Sequence, residues 1–138
     1  MKTDSLESMV KDYERRTGEE VSFDGFYFEK NQLRNYYHEY FNFFPHEGFM
    51  FWGIFKDGKE ECFVVLQTYG NMKVIGRFIA NVMEKNNLRK IVTATARKTV
   101  NGFIKKWTMK RIPWFDYEYR NKHYKALETT IDNLLKTL

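Results

Sequence analysis

Three kinds of residue in this chain can do chemistry: two adjacent carboxylates, a tyrosine at the end of an apolar run, and a block of bases. Glu60 and Glu61 precede the apolar run 62–66 and can act as proton acceptors; charges that flank a turn are more often simply solvated. Tyr69 follows the same run and can act as a proton donor; otherwise it is an aromatic packed at a helix start. Cys62 opens the run and sits in no nucleophile motif, so it reads as a small core residue. His38, His46 and His123 are scattered without ligand spacing, no zinc pattern is present, and no metal site is expected.

The bases are unevenly placed. Residues 85–115 contain nine bases and no acid: Lys85, Arg89, Lys90, Arg97, Lys98, Lys105, Lys106, Lys110 and Arg111. Residues 1–30 carry eight acids against five bases. Such a block is either a solvated face whose stems cover apolar surface, or an anion site for cofactor phosphates or a nucleic-acid backbone. Arg97 and Lys98 open a helix after a strand, a favourable place for phosphate. Lys105 and Lys106 recur along that helix, which suits a longer polyanion. The partner expected through residues 85–111 is a nucleic acid or an acidic protein.

The elements that must hold these residues are readable from periodicity. The continuous run Cys62-Phe63-Val64-Val65-Leu66 predicts a buried strand. Val74, Ile75, Phe78, Ile79, Val82 and Met83 fall on one helical face over 71–86. Residues 91–95 predict a second strand, and Val100, Phe103, Ile104 and Trp107 predict a helix over 97–110. Strand, helix and strand with short connections require the two strands to be parallel neighbours. Upstream, residues 49–66 predict a hairpin turning at Asp57-Gly58. Asp4 with Glu7 predicts a capping box for a first helix that buries Leu6, Met9, Val10 and Tyr13 and ends at Gly18. Residues 21–28 predict a strand kinked at Gly25. Leu33, Tyr37, Tyr40, Phe41 and Phe44 predict a helix over 29–44, stopped by Pro45. Its surplus aromatics, Tyr36 and Phe43, are expected to cover a cleft or a partner surface. Residues 113–119 alternate as an edge strand. Tyr124, Leu127, Ile131, Leu134, Leu135 and Leu138 predict a terminal helix.

These elements give a single α/β (α+β) domain over residues 1–138, a mixed sheet flanked by helices. The chain has 43% apolar and 18% aromatic residues and a net charge of +5, which excludes a disordered chain. One cysteine cannot form an internal disulfide. No run of membrane-spanning length and no signal-peptide pattern occurs, so the expectation is a soluble, cytoplasmic protein without a membrane partner.

Over roughly residues 49–119 the order resembles the GNAT fold, the family of acetyl-CoA-dependent N-acetyltransferases. The similarity is strongest to small divergent members carried by tailed bacteriophages, which implies the host cytoplasm as location. In that family a strand leads into a Gln/Arg-x-x-Gly-x-Gly/Ala loop and then a long helix. The matching residues here are Asn71-Met72-Lys73-Val74-Ile75-Gly76, of which Gly76 keeps the pattern and Val74 replaces a glycine. The resemblance implies acetyl-CoA as cofactor, held by Gln67, Asn71, Lys73, Val74, Ile75, Gly76, Arg77 and Asn101, with Glu61 and Tyr69 as candidate base and acid. It implies acetyl transfer to an amine. The alternative is a non-catalytic protein that kept the fold and lost the loop, binding nucleic acid or protein without a cofactor. Val74 and the lack of a tyrosine in the helix over 97–110 favour the alternative.

Overall fold

The computed structural model describes residues 5–29, 32–96 and 100–138. Helix α1 (Leu6–Thr17) begins at Ser5, whose hydroxyl accepts the Ser8 amide at 3.2 Å. Ser5 therefore makes the cap expected of Asp4, which lies outside the described residues. Gly18, at φ 71°, ends the helix in the left-handed conformation that glycine adopts without cost.

Among the described residues nine strands form one mixed sheet. They are β1 (Phe26–Glu29), β2 (Gln32–Asn35), β3 (Glu39–Phe44), β4 (Gly48–Asp57), β5 (Glu60–Gly70), β6 (Lys90–Thr95), β7 (Lys110–Arg111), β8 (Tyr117–Tyr119) and β9 (Lys122–Thr130). The spatial order is β1-β2-β3-β4-β5-β6-β9-β7, with β8 paired to β9. Helix α2 (Met72–Lys85) joins β5 to β6, α3 (Val100–Trp107) follows β6, and α4 (Ile131–Leu135) closes the chain. The β4–β5 hairpin turns at Gly58-Lys59, one residue later than expected. Strands β5 and β6 pair in parallel from Cys62↔Lys90 to Val65↔Thr93, as the apolar runs require.

Each face of the sheet carries its own core. Met50, Trp52, Phe63, Val65 and Ile91 face α2, α3 and α4. Phe41, Phe49 and Phe51 face α1, where Met9 and Tyr13 are buried. No helix among the described residues is long and apolar enough to cross a membrane.

Several expectations are corrected. The helix over 29–44 is a hairpin, β2 and β3, with Leu33↔Phe41 and Arg34↔Tyr40 in register. Asn35 makes its turn by accepting the amides of Tyr37 and Glu39, each at 2.8 Å, and His38 takes φ 67°. β3 meets an apolar layer on each face, so it reads as a continuous aromatic run that also matches a helical period. Tyr36 is exposed at the turn, over Tyr27 at 6.0 Å, and Phe43 is partly exposed on β3. The terminal helix keeps only its last turn: Tyr124 and Leu127 belong to β9, and Thr130 caps α4 by accepting the Asn133 amide at 3.2 Å. The edge strand over 113–119 is a 3-10 turn (Pro113–Phe115) followed by β8, and the strand over 21–28 shortens to β1 with a turn at Gly25.

Candidate functional site: the cleft between the diverging parallel strands

β5 outlasts its pairing with β6. The ladder ends at Val65↔Thr93, where the Thr93 hydroxyl donates to the Val65 carbonyl at 2.9 Å. The register with β4 jumps at this point: Phe51 pairs with Gln67 and Trp52 with Val65, leaving Leu66 as the extra residue of a bulge. A bulge bends its strand. Residues 66–70 therefore turn away with β4, while β6 continues with β9 to Thr95↔Lys125. The opening is a cleft of about 1130 Å³ at the carboxyl ends of two parallel strands, where α/β folds place ligands.

Helix α1 and the segment after it bridge the opening. On the β5 side the Tyr69 hydroxyl donates to Asp12 Oδ2 at 2.6 Å. On the β9 side Glu19 accepts from Tyr13 at 2.5 Å and from Tyr124 at 2.7 Å, and Lys122 Nζ donates to the Thr17 carbonyl at 2.8 Å. Met9, Met72 and Phe103 add apolar walls, and Arg16, His46 and Lys125 stand around the opening. The bond to Asp12, with burial, raises the Tyr69 pKa, and the same bond holds the Asp12 carboxyl below its ordinary range. Tyr69 thus lies in the cleft, but its proton is committed to Asp12.

Burial first, and then Glu19, push the Tyr124 phenol up to about 12. Its neutral form is the one the fold favours. The stability it adds is complete below the ordinary tyrosine value of about 10 and is lost as pH rises from there through 12. The melting-temperature advantage of the native chain over Tyr124→Phe should therefore shrink between those two pH values. Glu19→Gln should move the tyrosinate absorbance titration of Tyr124 part-way back toward about 10, since burial remains. An advantage that stays constant up to pH 12 would rule this linkage out.

The expected cofactor residues stand at the start of α2. Asn71 Oδ1 accepts the amides of Lys73 (3.0 Å) and Val74 (3.2 Å), and its Nδ2 donates to Glu47 Oε2 at 2.9 Å. The Asn71 amide donates to the Glu47 carbonyl at 2.8 Å. Ile75 and Gly76 are buried; a Cβ on Gly76 would meet Trp107 Nε1 at 3.1 Å and Leu138 at 3.0 Å. Lys73, Arg77 and, on α3, Asn101 are exposed. Gln67 Nε2 donates to the Glu20 carbonyl at 3.3 Å. Glu60 and Glu61 are exposed at the hairpin end of β5, opposite Asp57 and Lys56, at the other end of the strand from Tyr69.

Of the basic block, Lys90 pairs with Glu128 at 3.3 Å and Asp57 at 3.8 Å, Arg89 reaches Asp132 at 3.8 Å, and Arg111 pairs with Asp116. Lys85, Lys105, Lys106 and Lys110 are exposed and have no ion pair among the described residues. Lys105 and Lys106 end α3, and Lys110 follows across a turn at Thr108 (φ 56°). Arg97 and Lys98 lie outside the described residues. Among the described residues no group of histidine, cysteine and carboxylate side chains can hold a metal ion.

Sequence reasoning missed Asp12, Glu19, Lys122 and Tyr124, which tie the cleft together from far apart in the chain. No family model matches the chain, and no curated protein matches it.

Proposed function

We propose that the chain is a GNAT-like domain, of the small phage type, that binds nucleic acid through its basic face and does not transfer acetyl groups. The GNAT-like part is supported by the parallel pair β5–β6 with α2 between them and by the cleft where the pair diverges.

One observation carries the non-catalytic reading. A cofactor pyrophosphate needs free amides and positive potential at a helix start. Here Asn71 takes the two amides, and the Glu47 carboxylate stands 2.9 Å from the Asn71 side chain. The pyrophosphate of acetyl-CoA does not fit this helix start. The space around Gly76 is filled by Trp107 and Leu138, so that glycine serves helix packing. A second reading, acyl transfer in the cleft, is favoured by the cleft volume of about 1130 Å³. Against it, Tyr69 is bonded to Asp12, and Glu61 lies at the other end of β5.

The basic face supplies the partner. Lys105, Lys106 and Lys110 are solvent-exposed, close together in the chain and without an ion pair among the described residues. Each phosphate that they neutralise releases counterions, so the logarithm of affinity should fall with the logarithm of salt concentration by about 0.9 per contact on duplex DNA. Lys105→Glu with Lys106→Glu should abolish a mobility shift near physiological ionic strength and leave the melting temperature nearly unchanged, since exposed charges contribute about 0–1 kcal/mol. Acetyl-CoA should not raise the melting temperature, whereas a ligand of the native state would. A clear rise with acetyl-CoA, together with nucleic-acid binding indifferent to the two substitutions, would reverse the reading.

A further inference from the structure

We propose that the segment from Pro113 to Tyr119 is a stacking platform for the bases of single-stranded nucleic acid, with Trp114 as its principal ring and Lys110 and Arg120 as phosphate contacts. The inference rests on the nucleic-acid reading above and gives it a strand type and a second contact.

Four large rings are exposed within six residues: Trp114 (75%), Phe115 (54%), Tyr117 (50%) and Tyr119 (54%). Water penalises such a patch, and apolar patches that persist on a surface mark contact sites. The backbone that carries the rings is fastened in place. Asp116 accepts the Ala126 amide at 2.8 Å and pairs with both Arg111 and, at 3.2 Å, His123. Its carboxyl pKa lies below the ordinary range, first through the Ala126 amide. The Ile112 amide donates to the Ala126 carbonyl at 3.0 Å. The 3-10 turn that carries Trp114 and Phe115 is thus fastened to β9 on both sides. At the other end, Arg120 and Asn121 take φ 50° and 64° and close the tight β8–β9 turn. A rigid platform loses little entropy when a ring settles on it.

Charge decides the occupant. Residues 105–125 hold seven bases and two acids, and one of those acids, Asp116, is mostly buried and paired. The Arg120 guanidinium lies 5.2 Å from the Tyr119 ring centre, so one edge of the platform carries a cation beside a ring. Another exposed aromatic set, which includes Phe28, Tyr36 and Tyr37, lies in a less basic stretch, with three acids and two bases between residues 24 and 39. Rings flanked by cations, Lys110 before them and Arg120 after, suit a strand whose bases are unstacked and whose phosphates follow those cations. A duplex hides the faces of its bases and can use only the cations.

The test uses the whole chain and an oligothymidylate of about 20 nucleotides against a duplex of equal length. Trp114 is the exposed one of three tryptophans, Trp52 and Trp107 being buried, so the oligonucleotide should quench its fluorescence. Trp114→Ala should weaken single-strand binding about tenfold, while Trp114→Phe retains most of it. Duplex binding and melting temperature should not move with either substitution. Equal affinity for both forms with Trp114→Ala inert would overturn the platform and leave the nucleic-acid reading standing. Absence of binding to either form would overturn both. A dimer that Trp114→Ala dissolves, with no change in strand binding, would reassign the patch to self-association and overturn the platform.

Discussion

Trp107→Ala should destabilise the fold by about 3–5 kcal/mol, the range for emptying a buried tryptophan site. Trp107 is the largest of the fully buried side chains. Its indole donates to the Met72 carbonyl at 2.9 Å, its ring packs on Phe103 at 5.3 Å, and its nitrogen stands 3.1 Å from where Gly76 would carry a Cβ. It therefore fastens α3 to the start of α2, beside the cleft wall formed by Met72 and Phe103. For a chain of this size the loss corresponds to about 10–20 °C of melting temperature. The same substitution at Trp114, which is exposed, should cost almost nothing. A loss below about 1 kcal/mol at Trp107 would show that α3 is not held through this ring.

That helix was legible in the sequence because three of its four expected apolar positions, Val100, Phe103 and Trp107, serve one core, while Ile104 is exposed. The runs 62–66 and 91–95 were legible too, through Phe63, Val65 and Ile91, although Leu66 is exposed. Each lies mid-sheet with cover on at least one face, so length and β-branching separate strand from helix. Residues 29–44 defeated that logic. Tyr37, Tyr40 and Phe44 fit a helical period, but Tyr40 and Phe44 pack beside the α2 core and Phe41 on the α1 side. The usable signal was Asn35, whose side chain can hold a turn by itself. At the C-terminus, Leu127, Ile131 and Leu134 keep a helical spacing across a junction of strand and helix. Thr129 and Thr130 mark that junction by β-propensity and capping.

The candidate site was legible only in part. The tyrosine at the end of β5 and the helix after it were visible as local pattern. The lock across the cleft was not, because Tyr69 meets Asp12 over 57 residues and Tyr124 meets Glu19 over 105. No local periodicity encodes such pairings. The basic block was visible as composition, but composition could not show that Lys90 and Arg111 are paired with carboxylates on the sheet while Lys105, Lys106 and Lys110 have no ion pair among the described residues. Of the four exposed rings beyond Pro113, Tyr117 and Tyr119 do lie on a short strand, β8, whereas Trp114 and Phe115 lie on a 3-10 turn that the same aromatic pattern does not separate from a strand.

Gly70→Ala should be a costly small change, and its cost can be separated from mere backbone strain. Gly70 has φ 113°, and Gly58, in the β4–β5 turn, has φ 67°. An L-residue resists both conformations, at a cost of about 1–3 kcal/mol each. The surroundings differ completely. A Cβ on Gly58 would meet nothing within 4 Å, whereas one on Gly70 would lie 2.0 Å from the Glu47 carbonyl oxygen and 2.6 Å from the Gly48 Cα. Those are backbone atoms, so no rotamer change relieves the collision. Relief requires the Glu47–Gly48 backbone to withdraw, which breaks the Asn71 amide bond to the Glu47 carbonyl and disturbs the Asn71 side chain that caps α2. Each such bond contributes about 0.5–1.5 kcal/mol. The urea midpoint should therefore fall by several kcal/mol equivalents for Gly70→Ala, and by only about 1–3 for Gly58→Ala. Hydrogen exchange at Lys73 and Val74 should accelerate in the Gly70 variant alone, since those amides depend on Asn71 staying in place. Equal losses at the two glycines, with unchanged exchange at Lys73 and Val74, would mean that the close crossing of β4 and β5 does not seal the start of α2. The case against a phosphate-bearing cofactor would then lose its structural support.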